Sequence, residues 1–193
     1  MKIVGVGCGP GLLTEQAIRV ISEAEQVYGS KRAIDAVRSY IPAGCPVQVI
    51  TDYRNLHQLP DSAVILSTGD PMLAGLGYLP GEVIPGISSL QVAAARLHLP
   101  LDRVSVVLAH GRDHSVAIRS TLAELDLGKV VFLIPDPDFH VGRLCEALGA
   151  KHAGISVIIL ENLGYPDEKI LRGSTVNPPA ATSDLFSIVV GNP

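Results

Sequence analysis

A glycine-rich segment near the start of the chain is the feature that most constrains its fold. The segment GVGCGPG at 5–11 follows the apolar residues Ile3 and Val4 and precedes an amphipathic run that begins at Thr14. Glycine permits positive φ and lets other groups approach the backbone closely. The pattern therefore predicts a strand that ends in a tight turn, followed by a helix. An ordinary strand–helix turn without a ligand remains an alternative.

The spacing of these glycines excludes the two common phosphate-binding loops. The dinucleotide pattern GxGxxG would require glycine at 10 or 12, where Pro10 and Leu12 stand, and no Lys-Ser or Lys-Thr pair completes a Walker pattern. The turn is therefore expected to contact a different kind of ligand. Cys8 has no base beside it in the sequence, which favours an inert lining residue over a nucleophile.

Composition narrows the class of protein further. The 193 residues are 47% hydrophobic with a net charge of −4 and no run of lysine or arginine, so nucleic acid is not expected as a partner. No apolar stretch approaches the roughly 18 residues of a membrane span, and the early strand argues against a signal peptide. The three cysteines form no CxxC pair, which favours the cytoplasm over a disulfide framework or a zinc ribbon.

Alternating strand and helix patterns predict an α/β fold of two domains, 1–98 and 104–193, joined by a linker at 99–102. In the first domain we expect strands at 3–7, 27–28, 47–51 and 63–67 and helices at 14–26, 31–39 and 88–98. In the second we expect strands at 104–109, 130–134, 155–161, 168–173 and 186–190 and helices at 115–125 and 139–148.

Two further turns carry polar groups in the first domain. The segment STGDPMLAG at 67–75 ends a buried strand, and IPGISS at 84–89 opens a helix. Ligands bind at the carboxyl ends of strands in open α/β sheets. Pro71 restricts Asp70 to extended conformations, and paired serines offer hydroxyls and free N–H groups at a helix start. An ordinary turn and simple N-capping are the alternatives.

The second domain holds a polar segment, HGRDH at 110–114, after a strand that is expected to be buried. A metal site is not favoured, because HExxH is absent and glycine interrupts the histidines. Arg112 is equally compatible with an anion contact and a surface charge. Asp136 and Asp138 follow the next strand in a turn stiffened by two prolines, where solvated turn carboxylates are favoured over a general-acid pair.

The ordered turns at 5–11, 67–75 and 84–89 resemble those of the tetrapyrrole methyltransferase superfamily, and the resemblance spans essentially the whole chain. It implies the tetrapyrrole methylase fold, in which two α/β domains form a cleft that binds S-adenosylmethionine as methyl donor. It also implies a homodimer. The donor sulfonium is already activated, so we expect no metal of the protein's own.

Three other segments are similar to the members that methylate C5 of cobalt-precorrin-7 in cobalamin biosynthesis. They are YGSKR at 28–32, HGR at 110–112 and ENLGYPDE at 161–168. The resemblance implies a cobalt-precorrin tetrapyrrole as substrate. The alternatives are another ring carbon, a protein substrate, or a non-catalytic nucleotide-binding regulator.

The resemblance also implies roles for individual residues. The segment Gly7, Cys8, Gly9 and Pro10 should face the methyl acceptor. Such an acceptor carries several carboxylates, so Arg112, Lys31 and Arg32 are candidate contacts for them. The final strand 186–190 lacks the histidine that some members carry there. The residues that should contact the methyl donor are Gly69, Asp70, Met72, Leu73, Ser88, Ser89, Leu133, Asn162, Leu163 and Phe186. The last four of these should enclose its adenine.

Overall fold

The chain forms two compact units, Met1–Ser89 and Leu90–Pro193. The computed structural model describes residues 1–111, 113–149 and 151–192, so Arg112 lies outside the described residues. Both units combine helices with a β-sheet, which confirms the predicted α/β class. The division between the units falls earlier in the chain than the predicted linker at 99–102, and the predicted domain bounds stay a prediction.

The first unit is built on a sheet of five parallel strands in the order β3-β2-β4-β1-β5. These strands are β1 (Lys2–Gly5), β2 (Val27–Gly29), β3 (Val47–Val49), β4 (Val64–Ser67) and β5 (Glu82–Ile84). Its helices are α1 (Glu15–Ser22), α2 (Lys31–Val37) and the short 3-10 helices Arg38–Tyr40 and Leu56–Gln58.

Burial on both faces of this sheet explains the apolar strands. In β1, Val4 packs in a cluster with Ile21 and Leu66, whereas its neighbour Ile3 packs in a second cluster with Ile65. Successive strand residues point to opposite faces, so two apolar neighbours require two covered faces. The parallel sheet therefore lies at the centre of the unit, with an apolar cluster packed on each face.

The first helix, α1, begins where the sequence predicts, but it ends earlier than predicted. The Thr14 hydroxyl accepts a hydrogen bond from the Ala17 amide at 3.1 Å and caps the helix. The prediction of a helix through 26 is wrong, because α1 ends at Ser22 and the chain turns so that Val27 joins the sheet. The sequence analysis also missed β5, which is only three residues long.

The second unit contains a mixed five-stranded sheet in the order β6-β7-β10-β8-β9, in which only β6 and β7 run parallel. These strands are β6 (Val104–Ala109), β7 (Val130–Pro135), β8 (Ser156–Glu161), β9 (Lys169–Ser174) and β10 (Phe186–Val190). The helices are α3 (Ser89–Leu97), which begins at the last residue of the first unit, α4 (Ser115–Asp126) and α5 (Val141–Gly149), with a 3-10 helix at Leu101–Arg103.

The expectation that 104–109 forms a buried strand is wrong. Among the described strands, β6 lies at the edge of its sheet and pairs only with β7. Val107 and Ala109 are buried, whereas Val106 and Leu108 on the opposite face are 40% and 53% exposed. An apolar run therefore did not distinguish a covered strand from an edge strand with one covered face.

None of the described helices is both long enough and apolar enough to cross a membrane.

Candidate functional site

Three turns lie side by side at one edge of the first sheet, and we call 5–11, 67–75 and 84–89 the switch-point turns. They follow β1, β4 and β5, which are adjacent and parallel. The chain leaves β1 toward β2 and leaves β4 toward β5, in opposite directions along the sheet. Ligands bind at such a reversal in open α/β sheets. The structure therefore brings the three predicted motifs together at the expected kind of edge.

Backbone hydrogen bonds join the switch-point turns. The Gly7 amide donates to the Gly69 carbonyl at 3.2 Å, and the Gly69 amide donates back to the Gly7 carbonyl at 2.8 Å. The Cys8 amide donates to the Ile87 carbonyl at 3.0 Å. The turn after β1 is thus bonded to both neighbours, and the three turns behave as one backbone network.

The glycines of this network are packed against the protein's own chain. A Cβ on Gly5 would lie 2.5 Å from the Gly86 amide nitrogen, and one on Gly86 would overlap the Gly69 carbonyl oxygen. Real Cβ atoms do not approach other atoms that closely. Gly5 and Gly86 therefore allow the backbones of neighbouring turns to approach one another closely. Gly11 differs, because no atom lies within 4 Å of its would-be Cβ and its φ is +76°.

Asp70 ties two of the switch-point turns together. One carboxylate oxygen accepts the Met72 amide at 2.8 Å, and the other accepts the Gly86 amide at 2.9 Å. Each oxygen keeps a further lone pair for a ligand. Among the other predicted donor contacts, the Met72 residue is 70% exposed and Ser88 is buried, whereas Leu73 and Ser89 are half-buried.

A cation lies beside the turn that follows β4. The Ser30 hydroxyl accepts the Ala33 amide at 3.2 Å and caps α2, which begins with Lys31 and Arg32. The Arg32 guanidinium donates to the Thr68 hydroxyl at 3.3 Å. One of the predicted anion contacts is therefore placed next to a switch-point turn, while its side chain remains exposed.

Of the four predicted adenine contacts, Leu133 and Phe186 lie on neighbouring strands of the second unit, and Asn162 and Leu163 directly follow β8. Phe186 opens β10 and pairs with Glu161 of β8, while Leu133 of β7 pairs with Ile188 of β10. Leu133 is fully buried, and Leu163 and Phe186 are nearly so. The structure brings these residues to one region, but the Leu133 side chain is packed within the core of the unit.

A cleft of about 740 Å³ lies within the second unit. Its walls are 139–143, from the start of α5, and 178–184, from the segment before β10, and Phe186 also lines it. Phe186 is thus the predicted adenine contact that reaches this cleft.

Glu161 holds one wall of this cleft and was missed by the sequence analysis. Its fully buried carboxylate accepts the Thr182 amide, the Thr182 hydroxyl at 2.9 Å and the Ser183 amide at 3.1 Å. Burial raises the pKa of Glu161, but these hydrogen bonds lower it by more, and the net pKa lies below its ordinary value. A lone glutamate ending an apolar strand was the available signal.

The segment after β8 uses its polar side chains within the second unit. The Asn162 amide group donates to the Asp167 carboxylate at 2.7 Å and accepts the Ser183 hydroxyl at 2.9 Å. Glu168 accepts from the Arg96 guanidinium at 2.6 Å and from the Gly164 amide at 2.8 Å. Burial raises the pKa of Glu168, but these two donors lower it by more.

The carboxylate of Asp136 is bound rather than solvated, so that prediction is wrong for Asp136. His114 Nε2 lies 3.1 Å and 3.2 Å from its two oxygens, and the Gly111 amide donates to it at 2.9 Å. Burial raises the pKa of Asp136, but the bonds from His114 and Gly111 lower it by more, and the net pKa falls below its ordinary value. Asp138 is exposed, as predicted.

The described parts of the chain contain no group of three or more His, Cys, Asp or Glu side chains placed to hold a metal ion.

Comparison with known proteins gives consistent matches. The family model of tetrapyrrole (corrin/porphyrin) methylases matches residues 2–177. A probable cobalt-precorrin-7 C(5)-methyltransferase of Methanocaldococcus jannaschii is 30% identical over 189 residues, which cover 86% of this chain and 85% of the relative. A cobalt-precorrin-7 C(5)-methyltransferase of Salmonella typhimurium is 23% identical over 206 residues, covering 98% of both.

A solved structure extends the likeness to three dimensions. The crystal structure of the cobalamin biosynthesis precorrin-6Y methylase from Archaeoglobus fulgidus matches with a TM-score of 0.77 and 28% identity. The match covers 100% of this chain and 97% of that one. Both units of the chain therefore have counterparts in that protein.

Proposed function

Because the chain belongs to the tetrapyrrole (corrin/porphyrin) methylase family and is a methyltransferase, we propose that it methylates C5 of cobalt-precorrin-7 in cobalamin biosynthesis. S-adenosylmethionine is the methyl donor of the family. The observation that carries the proposal is the meeting of the three switch-point turns at one sheet edge. Relatives of nearly the same length that carry the C5 activity in their names support the choice of ring carbon.

Donor binding is proposed at the switch-point turns and in the second unit. Asp70 has lone pairs left for the amino-acid or ribose part of the donor, and the exposed Met72 is free to pack against it. Apolar side chains of the second unit suit adenine. The remaining proposed donor contacts are Gly69, Leu73, Ser88, Ser89, Leu133, Asn162, Leu163 and Phe186.

Acceptor binding is proposed at the outer end of the turn after β1. Gly7 is occupied by its neighbours, since a Cβ there would lie 2.5 Å from the Leu12 carbonyl oxygen. Cys8 and Gly9 continue toward Pro10, which is exposed. Arg32 and Arg112 are proposed to contact the carboxylates of the macrocycle, because guanidinium groups bind carboxylates in a bidentate manner.

The reaction is an in-line displacement at the methyl carbon. The methyl bond to sulfur breaks as its bond to C5 forms, S-adenosylhomocysteine leaves, and the conjugated ring supplies the electron pair. The protein's contribution is alignment of donor and acceptor carbon, which can supply a large part of the rate. We propose that the enzyme is cytoplasmic and acts as a homodimer. Light scattering tests the homodimer, because the mass of a single chain would contradict it.

The deciding experiment is product analysis. The protein is incubated with cobalt-precorrin-7 and S-adenosylmethionine carrying a ¹³C-labelled methyl group, and the product is examined by mass spectrometry and NMR. We expect one label on C5. A label on another ring carbon overturns the substrate assignment, and donor binding without transfer to any precorrin points to a nucleotide-binding regulator.

A further inference from the structure

Glu161 is a buried carboxylate of the second unit that the proposed reaction leaves without a role. It is the last residue of β8, and its side chain is fully buried. Burial raises its pKa, but hydrogen bonds from Thr182 and Ser183 lower that pKa by more. A buried charge is costly unless its partners satisfy it. The segment that supplies those partners therefore shows what Glu161 does.

The donors to Glu161 all come from the short segment that leads into β10. The Thr182 and Ser183 amides donate to one carboxylate oxygen, and the Thr182 hydroxyl donates to the other at 2.9 Å. Two more bonds continue the attachment, since the Ser183 hydroxyl donates to the Asn162 side chain and the Asn162 amide donates to the Leu185 carbonyl, both at 2.9 Å. The end of β8 thus fixes the path of this segment at several points.

The segment held in this way forms one wall of the cleft in the second unit. Thr182, Ser183 and Phe186 line the cleft, whereas Glu161 bonds to this wall without lining the cleft itself. Phe186 is also the register partner of Glu161 in the antiparallel pair of β8 and β10. Directly opposite residues of such a pair project to the same face of the sheet. The Glu161 carboxylate therefore determines where this wall stands around the Phe186 ring.

The aromatic lining of the cleft indicates which part of the donor it suits. Two of the chain's three phenylalanines, Phe139 and Phe186, line it. Aromatic rings bind the flat face of a purine by stacking. The volume of about 740 Å³ falls within the range of small-molecule pockets, roughly 300–1,000 Å³. Adenine is the flat, uncharged part of the donor, whereas the sulfonium and amino-acid groups are charged, so these rings suit the adenine.

We propose that Glu161 is a positioning residue for the methyl donor, because it holds the segment 182–186 so that Phe186 meets the adenine in this cleft. This inference rests on the proposed function. Glu161 does not touch the donor and acts through Thr182 and Ser183. Donor affinity should depend on Glu161, whereas the chemical step should not, because the adenine takes no part in the displacement at the methyl carbon.

The test compares two glutamates of the second unit. Glu161→Gln keeps the shape of the side chain but turns an amide group toward the wall. Glu124→Gln is the matched control, because Glu124 is half-buried, accepts the Ser105 hydroxyl at 2.6 Å and is not among the residues that line the cleft. Each variant is titrated by calorimetry with S-adenosylhomocysteine and with 5′-methylthioadenosine, which keeps the adenine and ribose but lacks the amino-acid part. Urea denaturation checks that each variant is folded under the assay conditions.

We expect Glu161→Gln to weaken binding of both ligands by a similar factor, about 10-fold or more, because both carry the adenine. The KM for S-adenosylmethionine should rise by that factor, while kcat and the KM for cobalt-precorrin-7 stay within about twofold of wild type. A merely structural role would lower the folded fraction and therefore kcat, without this separation. Glu124→Gln should match wild type in every measurement.

Unchanged affinity for 5′-methylthioadenosine in folded Glu161→Gln overturns the assignment, as does an equal loss of affinity in Glu124→Gln. If Glu161→Gln does not fold, Thr182→Val and Thr182→Ser decide. The first removes the hydroxyl that donates to Glu161 and the second keeps it, so only Thr182→Val should bind both ligands more weakly, and equal affinities overturn the proposal.

Failure of the proposed function gives a different result. A wild-type protein that binds both ligands but transfers no methyl group to C5 overturns the proposed function and leaves the role of Glu161 in adenine binding in place. A wild-type protein that binds neither ligand overturns both.

Discussion

The turns at the carboxyl ends of the strands are held differently in the two units. In the first unit, amide–carbonyl bonds such as those between Gly7 and Gly69 join the turns, and glycines leave no room between them. The Asp70 carboxylate adds its bond to the Gly86 amide. In the second unit, buried or half-buried carboxylates gather the backbone amides, as Glu161 does for Thr182 and Ser183. The turns of the first unit are organised mainly by backbone bonds and steric fit, and those of the second unit by charge.

The difference predicts different sensitivities. Backbone bonds and glycine contacts do not titrate, and a carboxylate, Asp70, adds to them, so the geometry of the switch-point turns should depend less on pH than that of the second unit. A carboxylate that accepts amide hydrogen bonds holds them best when ionised. The geometry of the second unit should therefore depend on the ionisation of Glu161, Glu168 and Asp136, all of which have pKa values below the ordinary one.

The largest effect is expected from a single methyl group in the first unit. Gly86→Ala would drive a Cβ into the Gly69 carbonyl oxygen and to 2.8 Å from the Gly5 carbonyl carbon. Backbone cannot move aside as a side chain does, so the free energy of unfolding should fall by about 3 kcal/mol or more. Urea denaturation measures it.

Gly142→Ala is the matched control for this prediction. It adds the same methyl group in α5, where nothing lies within 4 Å of the would-be Cβ. Alanine favours a helix over glycine, so a small gain in stability, at most about 1 kcal/mol, is expected. Equal losses in both variants would show that close packing of the switch-point turns is not the cause.

The next largest effect is expected for a carboxylate that holds a turn of the second unit. Glu161→Gln keeps the shape of the side chain but turns an amide group toward the Thr182 and Ser183 amides, which need acceptors. The free energy of unfolding at neutral pH should fall by about 1.5–3 kcal/mol. Glu168→Gln, whose partner Arg96 is exposed, should cost less.

The pH dependence sharpens this prediction. The pKa of Glu161 is lower in the folded protein than its ordinary value. Its contribution to stability is therefore present at neutral pH and is lost as pH falls through the folded pKa. Glu161→Gln should show a flatter fall in unfolding free energy with acid than wild type. Parallel curves would contradict an ionised Glu161 in the folded state.

The sequence predicted the strands and turns better than the hydrogen bonds that join distant segments of the chain. Local patterns predicted the strand at 186–190 with the bounds that it has and placed Asp70 on a turn after a strand. What bonds those turns together depends on residues far apart in the chain, such as Asp70 and Gly86 or Gly7 and Gly69. No periodicity reports such contacts.

The second unit shows the same limit for charged groups. His114 and Asp136 were each visible in the sequence, but their pairing follows from the parallel register of β6 and β7. Glu161 looked like the polar end of an apolar strand, and its three partners come from a segment about twenty residues away. Burial of a carboxylate can be predicted only together with the donors that satisfy it.

A smaller effect is expected on donor binding. Asp70→Ala should weaken binding of S-adenosylhomocysteine by about 1–3 kcal/mol, because a half-buried hydrogen-bonding group is lost. Asp52→Ala is the control, since Asp52 accepts the amide two residues ahead at 3.0 Å as Asp70 does, but lies in an exposed turn. Calorimetry with folded protein decides, and unchanged affinity in Asp70→Ala would remove Asp70 from the donor site.

The smallest effect on stability, and the narrowest test of the first unit, is expected at Gly11. Its φ of +76° is unfavourable for other residues, but no atom lies within 4 Å of its would-be Cβ, so Gly11→Ala should cost only about 1 kcal/mol. Gly44 has a φ of +80° and equally open surroundings, so Gly44→Ala should cost the same.

The two variants should differ in turnover, because only Gly11 belongs to the turn proposed to face the macrocycle. A lower kcat or a higher KM for cobalt-precorrin-7 in Gly11→Ala, with donor affinity unchanged, separates acceptor binding from backbone strain. Equal turnover in the two variants would mean that the outer end of this turn does not meet the acceptor.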